Sequence, residues 1–274
     1  MDEPVYKKPS GTLAALVWHE VRMRVRGGII WGGLLGLYSA MIVASYAAVE
    51  EQIPQFEQLL EAYPQAILEA FGITSLATPE AYMGGQFFNW LAPLALSFFP
   101  ILALAGAIAG AEERGTLDVL LGNPIPRWQL VVGGFLAVAI SLLGVLAIVG
   151  VLTWVPAALL GVELSAGRTI EAVLSLWPAC MFFGGMALLC SAAFHRRALA
   201  VAVPGVLLFG MYLMNVISGL VEELESIKYL SVLYYYGAPI ENGIDWAHFA
   251  GVAAAAVALM ALAIPVFRRR DIYT

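Results

Sequence analysis

Residues 172–220 read AVLSLWPACMFFGGMALLCSAAFHRRALAVAVPGVLLFGMYLMNVISGL. Two runs of 23 residues, 172–194 and 198–220, hold no Asp, Glu, Lys or Arg, and only His195, Arg196 and Arg197 stand between them. As a helix, each run is long enough to cross a hydrocarbon core about 30 Å thick. The basic stop marks a tight hairpin of two membrane-spanning helices rather than one very long helix.

Four more uncharged stretches of spanning length flank this hairpin: 28–49, 87–111, 130–160 and 246–267. The 130–160 stretch is over-long, so it is expected to tilt, or to bend near Pro156. The composition agrees, with 61% hydrophobic residues, 12% charged residues and a mean hydropathy of +0.83. A soluble domain carries about a quarter charged residues, and no single soluble core hides so much apolar surface. The expected fold is all-α, a polytopic membrane protein with six transmembrane helices in one domain over 1–274.

The charges give the orientation. One side receives Lys7, Lys8, Arg22, Arg24, Arg26, Arg114, Arg127, Arg196, Arg197, Arg268, Arg269 and Arg270, and the other only Arg168 and Lys228. Twelve against two is a strong positive-inside bias, so both termini and the segments 112–129 and 195–197 are expected in the cytoplasm. The opposite side collects acids in the segments 50–86 and 221–245, and Trp31, Trp90, Trp128 and Trp246 lie near span ends. No basic face with interleaved aromatics suggests nucleic-acid binding. Residues 1–27 lack a short apolar core followed by a small-residue cleavage site, so no removable signal peptide is expected. Cys180 and Cys190 are ten residues apart in one apolar run, about 15 Å of helical rise, and read as small apolar fillers.

Three connecting pieces look structured. From Thr12 to Gly27, Leu13, Leu16, Val17, Val21 and Val25 alternate at helical spacing with charged residues, the pattern of an amphipathic helix on the inner leaflet. Between 55 and 71, Phe56, Leu59, Leu60, Tyr63, Ile67 and Phe71 predict a short outer helix bent at Pro64. Tyr229, Tyr234, Tyr235 and Tyr236 suggest a second outer cap.

A further piece, Glu112 to Trp128, reads EERGTLDVLLGNPIPRW. Glu112, Glu113 and Arg114 end the preceding span, Gly115 follows, and Thr116 is placed to cap a helix. Leu117, Val119, Leu120 and Leu121 form an apolar patch beside Asp118; Gly122 and Asn123 stop the helix, and Pro124 and Arg127 lead into the next span. Such a helix is too short to be stable alone, and its apolar face needs a cover. Elsewhere, Gly28, Gly32 and Gly36 form a small-residue stripe, a candidate dimer interface. Asn89, Ser97, Asn215 and Ser218 are candidate pathway residues, with helix-to-helix hydrogen bonding as the competing role.

The chain carries no energy-coupling motif of its own. Lys7, Lys8 and Lys228 are the only lysines, and none follows a G-x-x-x-x-G loop, so the chain has no P-loop. The six runs hold no Asp, Glu, Lys or Arg, which argues against an ion-driven carrier. An ATP-independent channel or carrier, or an intramembrane enzyme, is the alternative. Glu112–Glu113 resembles the glutamate pair of CAAX-type membrane proteases, but Leu117 occupies the place of their arginine. His19, His195 and His248 lie on separate segments and make no metal set.

The stretch AGAIAGAEERGTLDVLLGNPIPRWQLVVG (105–133) resembles the permease subunits of ABC-2-type ABC transporters, with the glutamate pair, Gly-Thr-Leu, Leu-Leu, proline and basic residue of that family. YPQAILEAFGI (63–73), YYYGAPIENGIDW (234–246) and FRRRDI (267–272) extend the resemblance over nearly the whole chain. Gly134 departs from it, where many relatives carry lysine. The resemblance implies a coupling helix at 112–129 and an elbow helix at 12–27. It further implies a separate cytoplasmic ATP-binding subunit that holds ATP and Mg, with no cofactor in this chain. A second permease copy, identical or a sister, and a prokaryotic plasma membrane complete the expectation.

Overall fold

The computed structural model describes residues 12–53, 78–115 and 126–270, and every regular element among them is helical. Thr12–Val49 form α1, followed by a 3-10 turn at Glu50–Gln52. Pro79–Met83 (α2) runs through a π-helical turn, Gly84–Phe88, to Leu91–Ala105 (α3) and Ala109–Glu113 (α4). Long helices follow at Arg127–Leu160 (α5), Ala166–Ala193 (α6) and Arg197–Leu220 (α7). A 3-10 helix at Glu222–Leu230 and the short helices Val232–Tyr236 (α8) and Pro239–Asn242 (α9) precede Trp246–Arg269 (α10). Five of these helices are long and apolar enough to cross a membrane, and the pair 79–88 and 91–105, bent by 44°, makes a sixth candidate. The α5 helix holds Pro156 without a break and ends at Gly161, whose φ of +76° gives a left-handed cap.

The register between α1 and α5 fixes the topology. Leu16 abuts Gly133, Gly28 abuts Val145, Gly32 abuts Ile148 and Gly36 abuts Leu152. Near the far end, Ser39 Oγ and Thr153 Oγ1 share a buried hydrogen bond of 2.6 Å. Both numbers rise together, with the α5 partner 114–117 positions ahead throughout. The two helices are therefore parallel, and the chain between them returns to its starting end. The broken pair makes that return. Its upper end meets α1 through the Tyr38–Phe87 and Tyr46–Tyr82 ring pairs, and its lower end is Glu113.

This register corrects two expectations. The 12–27 segment is not a helix of its own: no proline interrupts α1, and Leu16 meets α5 in the same register as Gly28 twelve residues on. Glu20, Arg22, Arg24 and Arg26 accordingly lie on the same continuous helix as the uncharged 28–49 run. The Gly28, Gly32 and Gly36 stripe is buried within the chain, where missing side chains let α5 approach closely, so it does not face a second copy.

The second span carries Pro93 and Pro100, but neither marks its bend. It falls at Asn89 and Trp90, just before α3, and Pro93 sits in the first turn of α3, where its missing N–H would have had no helical partner. Pro100 lies inside α3, and Gly184 of α6 makes room for it: a Cβ there would come within 2.8 Å of Pro100 Cβ.

At the end of the bundle opposite Glu113, the tyrosine cluster forms a cap. The rings of Tyr229, Tyr234 and Tyr235 pack edge to face at 5.1 and 5.3 Å, with Lys228 over the first two. Tyr236 is buried and donates to Phe88 O at 3.0 Å. The hydrogen bond from Lys228 to Glu225 holds that carboxyl below its ordinary value and lifts the ammonium above its own. The expected outer helix at 55–71 lies outside the described residues.

Candidate functional site

At the basic end of the bundle, five spans are tied together by side chains that satisfy helix termini. The second span breaks at residues 106–108, which leaves backbone N–H groups without helical partners. Ser191 of α6 fills the gap: its Oγ accepts from Ile108 N at 3.3 Å and Ala109 N at 2.9 Å, and donates to Ala105 O at 3.0 Å. The short α4 that follows ends in the glutamate pair.

Glu112 and Glu113 reach different helices. One Glu112 carboxylate oxygen lies 2.8 Å from His195 Nδ1 in the α6–α7 turn, and the other pairs with the Arg270 guanidinium. Arg270 Nη1 also donates to Ser191 O at 3.0 Å and Ala192 O at 3.3 Å, two of the last carbonyls of α6. Arg270 is thus nearly enclosed, with 7% of its side chain exposed. Glu113 Oε1 accepts the backbone N–H of Arg197, the first residue of α7, whose N-cap residue Arg196 supplies no side-chain bond. Across the junction, Arg127 Nη1 at the start of α5 donates to Phe267 O at 3.2 Å and Arg270 O at 3.1 Å, with its guanidinium over the Phe267 ring. Carboxylates sit on helix N-termini and guanidinia on helix C-termini, the favourable sense for the helix dipole.

Chemically, this junction joins rigid bodies and holds them. Among the described residues no group of three His, Cys, Asp or Glu side chains is arranged to hold a metal ion. Arg114 is exposed, and Gly115 takes a φ of +63°, a left-handed turn that suits glycine and sends the chain away from α4. Thr116, Leu117, Asp118, Leu120, Leu121 and Pro124 lie outside the described residues. The described residues on either side of this stretch include two anchored points, Glu112–Glu113 and Arg127. The sequence pointed to those anchors. It carries no such signal for His195, Arg197 and Arg270, where basic residues mark only sidedness, or for Ser191, one serine within an apolar run.

The family model of the ABC-2 family transporter protein matches residues 14–272. The chain belongs to this family. ABC-2 permeases are membrane-transport components that generally work with an ATP-binding subunit. No curated protein matches the chain.

The candidate pathway residues of the permease do not gather into one site. Asn89 Nδ2 donates to Glu241 Oε1 at 3.1 Å, beside the bend in the second span. Ser97 Oγ donates back to Pro93 O at 2.6 Å within α3, and Ser218 Oγ to Asn215 O at 2.9 Å within α7. The helical bonding role fits Ser97 and Ser218. Between α5 and α6 an apolar groove of about 580 Å³, bordered by Leu143, Val151, Trp154 and Ile170, opens sideways.

Proposed function

We propose that this chain is the membrane subunit of an ATP-driven exporter, powered by a separate cytoplasmic ATPase that holds ATP and Mg. The 112–129 segment is the coupling element, and a second permease copy completes the central pathway in a prokaryotic plasma membrane. The basic end of the bundle then faces the cytoplasm, as the twelve-to-two charge bias expects. The cargo class that fits apolar walls with few polar groups is amphiphilic or hydrophobic.

The observation that supports this reading most is the anchoring of the coupling segment. Its first root, Glu112–Glu113, is bonded to the α6–α7 turn and to the end of α10, and its second root, Arg127, to the end of α10. A displacement of 116–125 by a closing ATPase would be felt by five spans at once. The broken second span, bent by 44° at its other end, gives the bundle a joint about which such motion can occur.

The test is the double variant Glu112→Ala, Glu113→Ala, co-expressed with its ATP-binding subunit and reconstituted in vesicles. The expected result is a retained membrane fold with loss of the ATPase complex or of ATP-driven transport. Unchanged assembly and transport would reject the coupling role.

A further inference from the structure

One imidazole nitrogen at the basic end of the bundle has two neighbours with opposite demands. His195 Nδ1 lies 2.8 Å from Glu112 Oε1 and 2.7 Å from Arg270 Nη2. An ionised carboxylate only accepts hydrogen bonds and a guanidinium only donates them, so no single form of the ring satisfies both. With its proton on Nε2, the neutral ring accepts from Arg270 and turns a lone pair toward Glu112. With a proton on Nδ1, the ring donates to Glu112 and sets N–H against N–H at Arg270. The imidazolium makes the Glu112 bond charge-assisted and closes the Arg270 one.

The two neighbours depend on the ring unequally. Arg270 keeps the other Glu112 oxygen, Ser191 O and Ala192 O whichever form the ring takes. What changes with the proton is the hold on Glu112 Oε1, and through it the hold of α4 on the α6–α7 turn. His195 stands in that turn with 59% of its side chain exposed, so it exchanges protons with water. Its charged surroundings are mixed. From α4 come Glu112, Glu113, which is bonded to Arg197 N, and the terminal Arg114. From α10 come Arg270 and, before it, Arg268 and Arg269. In the turn itself Arg196 and Arg197 follow, the latter with its stem against Gly110. Arg127 of α5 is bonded to carbonyls of Phe267, Arg268 and Arg270. The C-terminal end of α6, two residues before His195, favours a cation. Asp118 lies outside the described residues.

We infer that His195 is a proton-operated catch on the first root of the coupling segment. Protonated, it donates to Glu112 and tightens α4 onto the α6–α7 turn; neutral, it turns to Arg270 and releases that carboxylate oxygen. Histidine is the side chain that ordinarily changes charge between about pH 5 and 8, so the catch works over the range in which a cytoplasm acidifies. Its consequence, a coupling root that stiffens as pH falls, rests on the reading of 112–129 as the coupling element; the catch itself rests on the junction alone.

The test uses purified permease in nanodiscs, without any ATPase. A nitroxide on Arg114→Cys, at the exposed end of α4, reports the root, and both native cysteines are buried. From about pH 8 to about pH 5, the ratio of immobile to mobile signal should rise about two- to fivefold, the scale of a part-exposed ion pair. His195→Phe, which keeps a ring and removes both nitrogens, should give the loose spectrum throughout. His195→Lys, which stays cationic over this range, should give the tight spectrum throughout, and it decides the matter even if His195→Phe does not fold. A wild-type ratio that stays flat or falls on acidification, a response that survives in His195→Phe, or a His195→Lys root as loose as the wild type at the alkaline end would overturn the inference. Because no ATPase is present, failure here leaves the coupling test standing, and failure of that test leaves this result readable.

Discussion

Glu113 Oε1 accepts the backbone N–H of Arg197 at 2.8 Å, across 84 positions of sequence. A carboxylate at the end of the second span thereby caps the first turn of the fifth. Since Arg196, the N-cap residue, contributes no side-chain bond, the helix relies on a neighbour for what Ser, Thr or Asp ordinarily supplies locally.

Glu113→Ala should therefore lower the thermal stability of the purified permease by about 0.5–2 kcal/mol, the usual worth of an N-cap. Glu113→Gln keeps an acceptor oxygen but loses the charge that favours a helix N-terminus, so its loss should be smaller. Thermal unfolding in detergent reads both. Equal losses would mean that the hydrogen bond contributes nothing beyond charge.

Glu112 and Arg270 should behave as a coupled pair. The two side chains are 19% and 7% exposed, and Arg270 also holds the last carbonyls of α6. Removing Glu112 alone leaves a nearly enclosed guanidinium with less compensation, which is costly. A double-mutant cycle of Glu112→Ala and Arg270→Ala should show roughly 1–3 kcal/mol of interaction energy. Additive single losses in unfolding experiments would show that the pair does not act as a unit.

How much of this was legible in the residues divides by range. Spanning helices follow from uncharged runs such as 172–194, because lipid demands internal bonding of every backbone group. The roots of the coupling segment were legible for a similar reason: Glu112, Glu113 and Arg127 are polar residues placed where long apolar runs end. Their partners were not, because His195 and Arg270 lie 83 and 158 positions from Glu112 and no local pattern signals such a pairing. The glycine stripe was legible as a close-approach surface, but spacing alone does not say whether the neighbour is a second copy or a helix of the same chain. The charges of α1 suggest a separate surface helix, but a change in composition marks no break in the helix itself. The contacts of Leu13 and Leu16 with α5 belong to one continuous helix.

Substitution at the glycine stripe distinguishes the two neighbours. A Cβ on Gly36 would come within 2.6 Å of Leu152 Cδ1 and 2.8 Å of its Cβ, and one on Gly32 within 3.1 Å of the Val145 carbonyl oxygen. Gly33 has open space on its exposed side, with nothing within 4 Å. Gly36→Ala should destabilise the single chain by about 1–3 kcal/mol through overpacking. Gly33→Ala should be neutral, or stabilising by up to about 1 kcal/mol from helix propensity. If Gly36→Ala instead changed only the oligomeric state in size-exclusion chromatography, the stripe would belong to a subunit interface after all.

Asp245 gives a pH dependence with a definite sign. It caps α10: its Oδ1 accepts from Ala247 N at 2.9 Å and His248 N at 3.0 Å. The bond from the His248 backbone, with that from Ala247 and the nearby His248 ring, holds the carboxyl below its ordinary value of 3.8. A carboxylate whose folded value is depressed adds stability that is fully present above the unfolded value and is lost as pH falls through the folded one. Asparagine is also a good N-cap but cannot ionise, so comparison with Asp245→Asn isolates the charge. The wild-type permease should melt higher than the variant at neutral pH, and the gap should close as the pH falls past 3.8. A gap that stayed constant from neutral to acid pH would show that the cap acts through its hydrogen bonds alone.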